Sequence, residues 1–392
     1  GLTLSGHYFF PAVSRTVGGG SGTTAILRPD SDSWSYTPPS GFKGLTAKDM
    51  TISADIDPAG DDGETENPTK QFNAITYTGN GSTNAISNLG FKPDLIWIKG
   101  TNDSTDNRLV DSTRGVGVAL RSNADGGDVS EGNGVTAFGT DGFTLGSETG
   151  YNGSSINFVS WCWKANGGTT ASNSNGSITS TVQVGKGFSI MTYTGTGSNA
   201  TIGHGLSAKP DFILTKRRSS QQTWGVYHTS LGATKYLALN TNANAGTDST
   251  FWNNTEPTTS VISLGTEGRV NGNSQTYVAY AWHNVEGMQR FSTYIGNGNT
   301  NGQFLFLGFR PRLFVTKKLG TDNWVVIDSA RETFNVMGEK VLLWDTADTE
   351  FDPSAVNIDF VSNGVKMRNT DGKINASGDT YVYMAWADQP AK

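Results

Sequence analysis

Cysteine is almost missing: Cys162 is the only one in 392 residues, which excludes an intrachain disulfide framework and any zinc site built on paired cysteines. Histidine is scarce too. His7, His204, His228 and His283 are scattered along the chain, without the H-x-x-x-H spacing that would hold a metal. Charged residues make up 16% of the chain, 29 Lys and Arg against 35 Asp and Glu, for a net charge of −6. A nucleic-acid surface needs clustered cations to neutralise phosphates, and the one basic run, Lys216-Arg217-Arg218, is short and isolated. No apolar run of about 18 residues is present to span a bilayer. No window sustains an apolar i, i+3, i+4, i+7 stripe over several turns, which excludes a helical protein. The chain carries no signal peptide and begins at Gly1, and is read as a processed product or a piece of a longer polypeptide.

What is present is glycine, 50 residues of it, together with abundant Asn, Ser and Thr. The 10 Trp, 12 Tyr and 19 Phe spread along the chain supply the apolar faces that disordered segments lack, so the chain is expected to fold.

The strongest signal is internal repetition. FNAITYTGNGS from Phe72, FSIMTYTGTGS from Phe188 and FSTYIGNGNT from Phe291 open three similar segments. Each continues through a Lys-Pro or Arg-Pro step into an apolar run: Leu95-Ile96-Trp97-Ile98, Phe212-Ile213-Leu214, Leu313-Phe314-Val315. Each ends on an aromatic-rich stretch, FVSWCWK, TYVAYAWH or TYVYMAW. Gly79, Gly195 and Gly296, and Pro93, Pro210 and Pro311, recur 101 to 117 residues apart. The distances from these glycines to Trp163, Trp282 and Trp386 are 84, 87 and 90 residues. The Thr-Gly-x-Gly step supplies positive-φ residues for a tight reversal, and with no helix-forming stretch behind it, it is not read as a phosphate loop. The residue before each proline is biased to extended backbone, so the apolar runs are predicted as central strands and the aromatic stretches as closing strands buried on both faces.

These features predict an all-β protein: three tandem antiparallel β-sandwich or jelly-roll-like repeats, at residues 71–166, 187–287 and 288–392. Residues 167–186, which take in all but the first residue of NGGTTASNSNGSITS (Asn166 to Ser180), read as a flexible linker, and residues 51–70, acidic with Pro and Gly, as another. The second and third repeats, joined only through Asn284 to Gln289, are expected to pack rigidly.

The repeated Tyr-Thr-Gly-Asn-Gly, Gly-Phe-x-Pro-Asp, Trp-Ile-Lys, Asp-Ser-x-Arg-Gly, Asp-Gly-Phe and Tyr-Val-Ala-x-x-Trp resembles a repeat domain of tail-fibre and other virion structural proteins of tailed bacteriophages, from about Phe72 to Pro390. Residues 1–50, with GHYFFPAVS from Gly6 and SYTPPSGFK from Ser35, look like the C-terminal part of a SPRY-like (concanavalin-type) β-sandwich, although Leu27-Arg28-Pro29 stands where that family has Asn-Phe-Gly. The resemblance implies a non-enzymatic virion component working outside the cell, a tail fibre or appendage that contacts the host, with other virion proteins as partners. It also implies a homotrimer, whose side-by-side packing would bury surplus aromatic surface. A capsid-surface decoration or adhesion protein gripping polysaccharide is the alternative, and a capsular depolymerase the third reading.

No catalytic residue, metal ligand or cofactor is assigned. Asp111 with Arg114 and Asp328 with Arg331 look like an acid beside a positioning arginine, but the second repeat has His228 and Leu231 there. A strand-end turn or ion pair survives such a change and a catalytic site does not. Asp345, Asp348, Glu350 and Asp352 cluster in one loop, and the acidic run from Asp55 to Glu66 does not match an EF-hand. Trp224 and Trp324, at equivalent positions, are read as core. Trp252 and Trp344, in more variable stretches, are the candidates for stacking on a host-surface sugar.

Overall fold

The structure is a computed structural model that describes residues 67–352 and 356–388. The expected SPRY-like segment, and the linker as far as residue 66, lie outside the described residues. What is described is all-β: antiparallel sheets, with helices of four residues at most. No helix among the described residues is long and apolar enough to cross a membrane.

Each repeat builds one large sheet with a small sheet packed on one face. In the first, the opening strand Phe72–Thr78 lies beside the closing strand Asn157–Trp163, which lies beside the post-proline strand Leu95–Gly100, followed by Arg108–Asp111, Val118–Arg121 and Val129–Ser130. The second and third repeat this order, with closing strands Thr276–Trp282 and Thr380–Ala387 between opening and post-proline strands. The small sheets are Asn84–Ile86 with Val135–Gly139 and Gly142–Leu145, Ala200–Gly203 with Val261–Leu264, and Phe304–Phe306 with Ile358–Val361 and Gly364–Met367. The opening register places Phe72, Phe188 and Gln289 opposite Trp163, Trp282 and Trp386. The residue equivalent to Phe72 is therefore Gln289, two positions before Phe291.

Side chains alternate across a strand, and this explains the unbroken apolar runs. In the second closing strand Tyr277, Ala279 and Ala281 face the repeat's own small sheet, whereas Val278, Tyr280 and Trp282 face away from it. The same split separates Ile96 and Ile98 from Leu95 and Trp97, and Phe314 from Leu313 and Val315. The outward faces of all three large sheets meet in one shared core. At its centre the closing tryptophans touch one another: Trp163 to Trp386 at 5.3 Å, Trp163 to Trp282 at 5.8 Å and Trp282 to Trp386 at 6.0 Å between ring centroids, all edge-to-face.

The repeats are thus modules of one compact unit that takes in every described residue, not separate sandwiches on a string. They close into a ring, in which equivalent main-chain bonds join each module to the next: Asp128 N to Arg218 O at 2.8 Å, Ala245 N to Leu319 O at 2.9 Å and Glu350 N to Thr101 O at 2.7 Å. The expected flexible linker at 167–186 is corrected as well. It contains strands Ala171–Asn173 and Ser180–Val184, which extend the second module's large sheet. Edge strands need few apolar residues, and here Ile178 and Val182 reach the core with Val184 packed against it.

Candidate functional site

The repeat landmarks have structural roles, and the glycines divide the work differently from expectation. Gly79, Gly195 and Gly296 do not adopt positive φ. A Cβ on any of them would sit 2.2 to 2.5 Å from a carbonyl oxygen, that of Gly153, Gly272 or Ala376. The positive φ falls two residues later, at Gly81, Gly197 and Gly298 (70°, 72° and 62°). Each turn is pinned by a buried asparagine that the sequence reading missed: Asn152, Asn271 or Asn375. Its Oδ1 accepts from the main chain of Asn80, Thr196 or Asn297 (3.0, 2.8 and 3.0 Å), and its Nδ2 donates to Gly146, Gly265 or Asn369 (2.8, 2.8 and 2.6 Å). The signal was available, since each asparagine stands eleven residues before its closing tryptophan. Pro93, Pro210 and Pro311 are buried where the post-proline strands begin.

Trp252 and Trp344 are each 1% exposed, which corrects their assignment as sugar-stacking residues. Trp252 packs edge-on against Tyr227, and Trp344 stacks on Trp97 at 4.1 Å between centroids. Trp224 and Trp324 are core, as expected, and both also tie modules together: their indole N–H groups donate to Arg121 O at 2.9 Å and Ala238 O at 3.0 Å.

The acid and arginine pairs sit at the module junctions. Arg114 Nε meets Asp111 Oδ2 at 2.6 Å and its Nη1 meets Asp128 at 3.0 Å, while Tyr280 of the second module donates to Asp111 at 2.7 Å. Arg331 likewise meets Asp328 at 2.7 Å and Glu350 at 3.0 Å, with Trp161 of the first module donating to Asp328 at 3.1 Å. Burial works against the charge on Arg114, and Asp111 outweighs it, so the guanidinium is held above its ordinary value. The side chains of both Asp–Arg pairs are at most 3% exposed. They act as buried fasteners between modules. At the third junction His228, Leu231 and Ala245 stand where the others have acid, arginine and second acid, so the charges have been exchanged as a set. The position facing His228 from the neighbouring module, equivalent to Trp161 and Tyr280, is Met384, which has no proton to donate to a carboxylate. His228 Nε2 instead lies 3.4 Å from Tyr383 O, and burial pushes its pKa down to about 4.

A lysine recurs at each junction, and the sequence reading gave none of the three a role. Lys99, Lys216 and Lys317 are fully buried. Lys99 Nζ donates to Gly100 O at 2.9 Å and, across the junction, to Ala347 O at 3.2 Å. Lys216 does so to Arg217 O at 2.9 Å and Asp125 O at 3.1 Å, and Lys317 to Gly320 O at 2.9 Å. Burial lowers each pKa to about 8. Between that value and the ordinary 10.5 the unfolded chain holds a proton that the folded one has released, so stability is expected to rise as pH rises through this window. The gain is of order 2 kcal/mol per lysine from pH 7 to pH 10. Above about pH 10 it reverses, because burial holds the Tyr77, Tyr193 and Tyr294 hydroxyls protonated while the unfolded chain loses theirs. Urea midpoints measured from pH 7 to 11 check this, and a flat profile below pH 10 would contradict it.

Among the described residues no group of three or more His, Cys, Asp and Glu could hold a metal ion. The acidic loop residues are engaged elsewhere. Asp345 accepts from Trp324 N at 3.0 Å and Asn323 Nδ2 at 2.8 Å, and Glu350 serves the Arg331 pair. Cys162 is buried beside Ser160, and burial pushes its thiol up to about 12, so it is no nucleophile.

The fold and junctions define a class: a three-module, all-β ring whose repeated residues serve packing. Residues 67–390 match the family described as a domain of unknown function, DUF7483, and the chain belongs to that family. The match runs across all three modules as one domain, as the shared core requires. None of the curated proteins matches the chain.

Proposed function

We propose that this protein is a non-enzymatic structural component of a bacteriophage virion, a tail-fibre or appendage segment that works outside the cell in attachment to the host surface. The observation that carries the reading is the pattern of what the modules share. Gly79, Pro93, Trp163 and their counterparts are kept for turns and packing, the junction acid changes from Asp111 and Asp328 to His228 while staying buried, and the recurring Lys99, Lys216 and Lys317 are buried with their Nζ on main-chain carbonyls. Repetition of groups spent on packing, turns and internal bonds suits a load-bearing part. The resemblance of the repeated motifs to virion repeat domains supplies the setting. Every tryptophan of the described residues lies inside the three-module unit, so the aromatic surface left for the proposed homotrimer is that of the exposed Phe304, Phe306 and Phe334.

Electron microscopy of intact particles labelled with an antibody against this chain tests the proposal. Label on the tail or its fibres is expected. Label spread over the shell would favour the capsid-decoration reading, and unlabelled particles would sink both.

A further inference from the structure

The second module's opening strand Phe188–Thr194 is covered along its outer edge by Ser180–Val184, paired Thr181 to Thr192, Val182 to Met191 and Gln183 to Ile190. That added strand fills the junction with the first module. Val182 is buried with Met191 and Tyr193, and Gln183 Nε2 donates to Ser112 Oγ and Thr113 Oγ1, both at 2.9 Å, in the turn that holds Asp111 and Arg114.

Among the described residues the first module has no such cover. Its opening strand Phe72–Thr78 is the outermost of its sheet. The chain just before it turns away through Pro68–Lys70, where Lys70 Nζ donates to Gly90 O at 3.1 Å. Two adjoining cavities of about 360 and 520 Å³ run along the free edge, both lined by Thr76, Tyr77, Thr78 and Ala330. Ala330 belongs to the turn that holds Asp328 and Arg331, so these cavities lie beside the place that Gln183 fills at the other junction, which Arg312 reaches here through Ser329 Oγ at 3.4 Å.

Two further observations indicate what fits. Arg312 donates to the outward-facing Ala74 carbonyl. By the strand's period of two, the main-chain N–H and C=O of Thr76 and Thr78 face the groove as well. Ile75 and Tyr77 are only half-buried, whereas their covered counterparts Met191 and Tyr193 are buried. The third module, also uncovered at this edge, has polar Ser292 where the first keeps Ile75.

We propose that this groove is a docking site for an extended strand of another polypeptide, added antiparallel to Phe72–Thr78. The incoming strand places a small apolar residue over Ile75 and a polar amide or hydroxyl residue against the turn at Ala330. Main-chain bonds to Thr76 and Thr78 supply the affinity and the two side chains the register. The inference rests on the edge geometry and stands whether or not the protein belongs to a virion.

The probe is a fluorescent peptide of residues 178–186, ITSTVQVGK, titrated into the full chain and read by anisotropy, with a scrambled peptide as control. Saturable binding is expected, reduced at least tenfold by Thr76→Pro. Proline is tolerated on an edge strand when the missing N–H points outward. Ile75→Ser, which copies the third module's residue and so suits the fold, is expected to weaken binding several-fold. Urea melts of both variants verify that they fold. Absence of saturable binding overturns the proposal, whether the edge binds nothing or the chain's own first 66 residues already lie on it. Binding unchanged by Thr76→Pro also overturns it, because the peptide would then sit elsewhere, such as on the second module's edge.

Discussion

Replacing Trp282 with alanine is expected to lower the stability of the whole ring by about 3–5 kcal/mol, the range for emptying an aromatic site in a packed core. Trp282 touches Trp163 and Trp386, one from each other module, and stacks on Phe188 and Phe212 of its own. The indole N–H groups of the three central tryptophans find no acceptor among the described residues, so apolar packing holds the cluster. Because the core is shared, the loss should fall on all three modules together. Urea unfolding followed by tryptophan fluorescence and far-ultraviolet circular dichroism is expected to give one coincident transition, displaced as a whole. Separate transitions, with only the second module's displaced, would show that the modules fold independently.

The second large effect is expected at the junction without charges. His228→Asp places a carboxylate in a dry site with Leu231 and Ala245 beside it and Met384 opposite, and is expected to cost about 3–5 kcal/mol, as for a buried charge without its partner. Adding Leu231→Arg and Ala245→Asp rebuilds the set found around Asp111, and should recover much of the loss. Stability of the single and triple variants by urea unfolding decides it. A single variant as stable as the parent would mean that the three residues were not exchanged as a unit. The parent carries a related acid sensitivity. Because the folded His228 pKa is pushed down to about 4, below the ordinary 6.5, the unfolded chain takes up the proton first and stability falls as pH drops through that interval. His204, also lowered by burial, acts in the same direction.

Much of this was legible in the sequence, and the failures share a cause. The strands and the closing tryptophans follow from local patterns: prolines that start extended backbone and aromatic runs with two buried faces. What covers the second face is a long-range fact. The alternation in Tyr277-Val278-Ala279-Tyr280-Ala281-Trp282 shows that both faces are buried, but not that the outer one meets two other modules. Trp252 and Trp344 were misplaced because variable surroundings were taken for a surface, when Trp344 lies against Trp97 across a junction. Residues 167–186 were misread because a strand that borrows its partner from the sheet edge needs few apolar residues to hold it, here Ile178, Val182 and Val184. The asparagines at 152, 271 and 375 were hidden by their polarity, since a polar residue among glycines looks like loop until its neighbours are known. The arginine pairs were correctly read as structural, on the evidence of the single change at His228.

Closure of the ring fixes the copy number. Stacked repeat proteins lengthen freely, because each unit contacts only its neighbours and the ends stay open. Here the three closing indoles already occupy the axis, and the edge-on contacts among them leave no seat for a fourth. Duplicating one module would have to widen the centre and flood it, so the count of three is set by the axis itself.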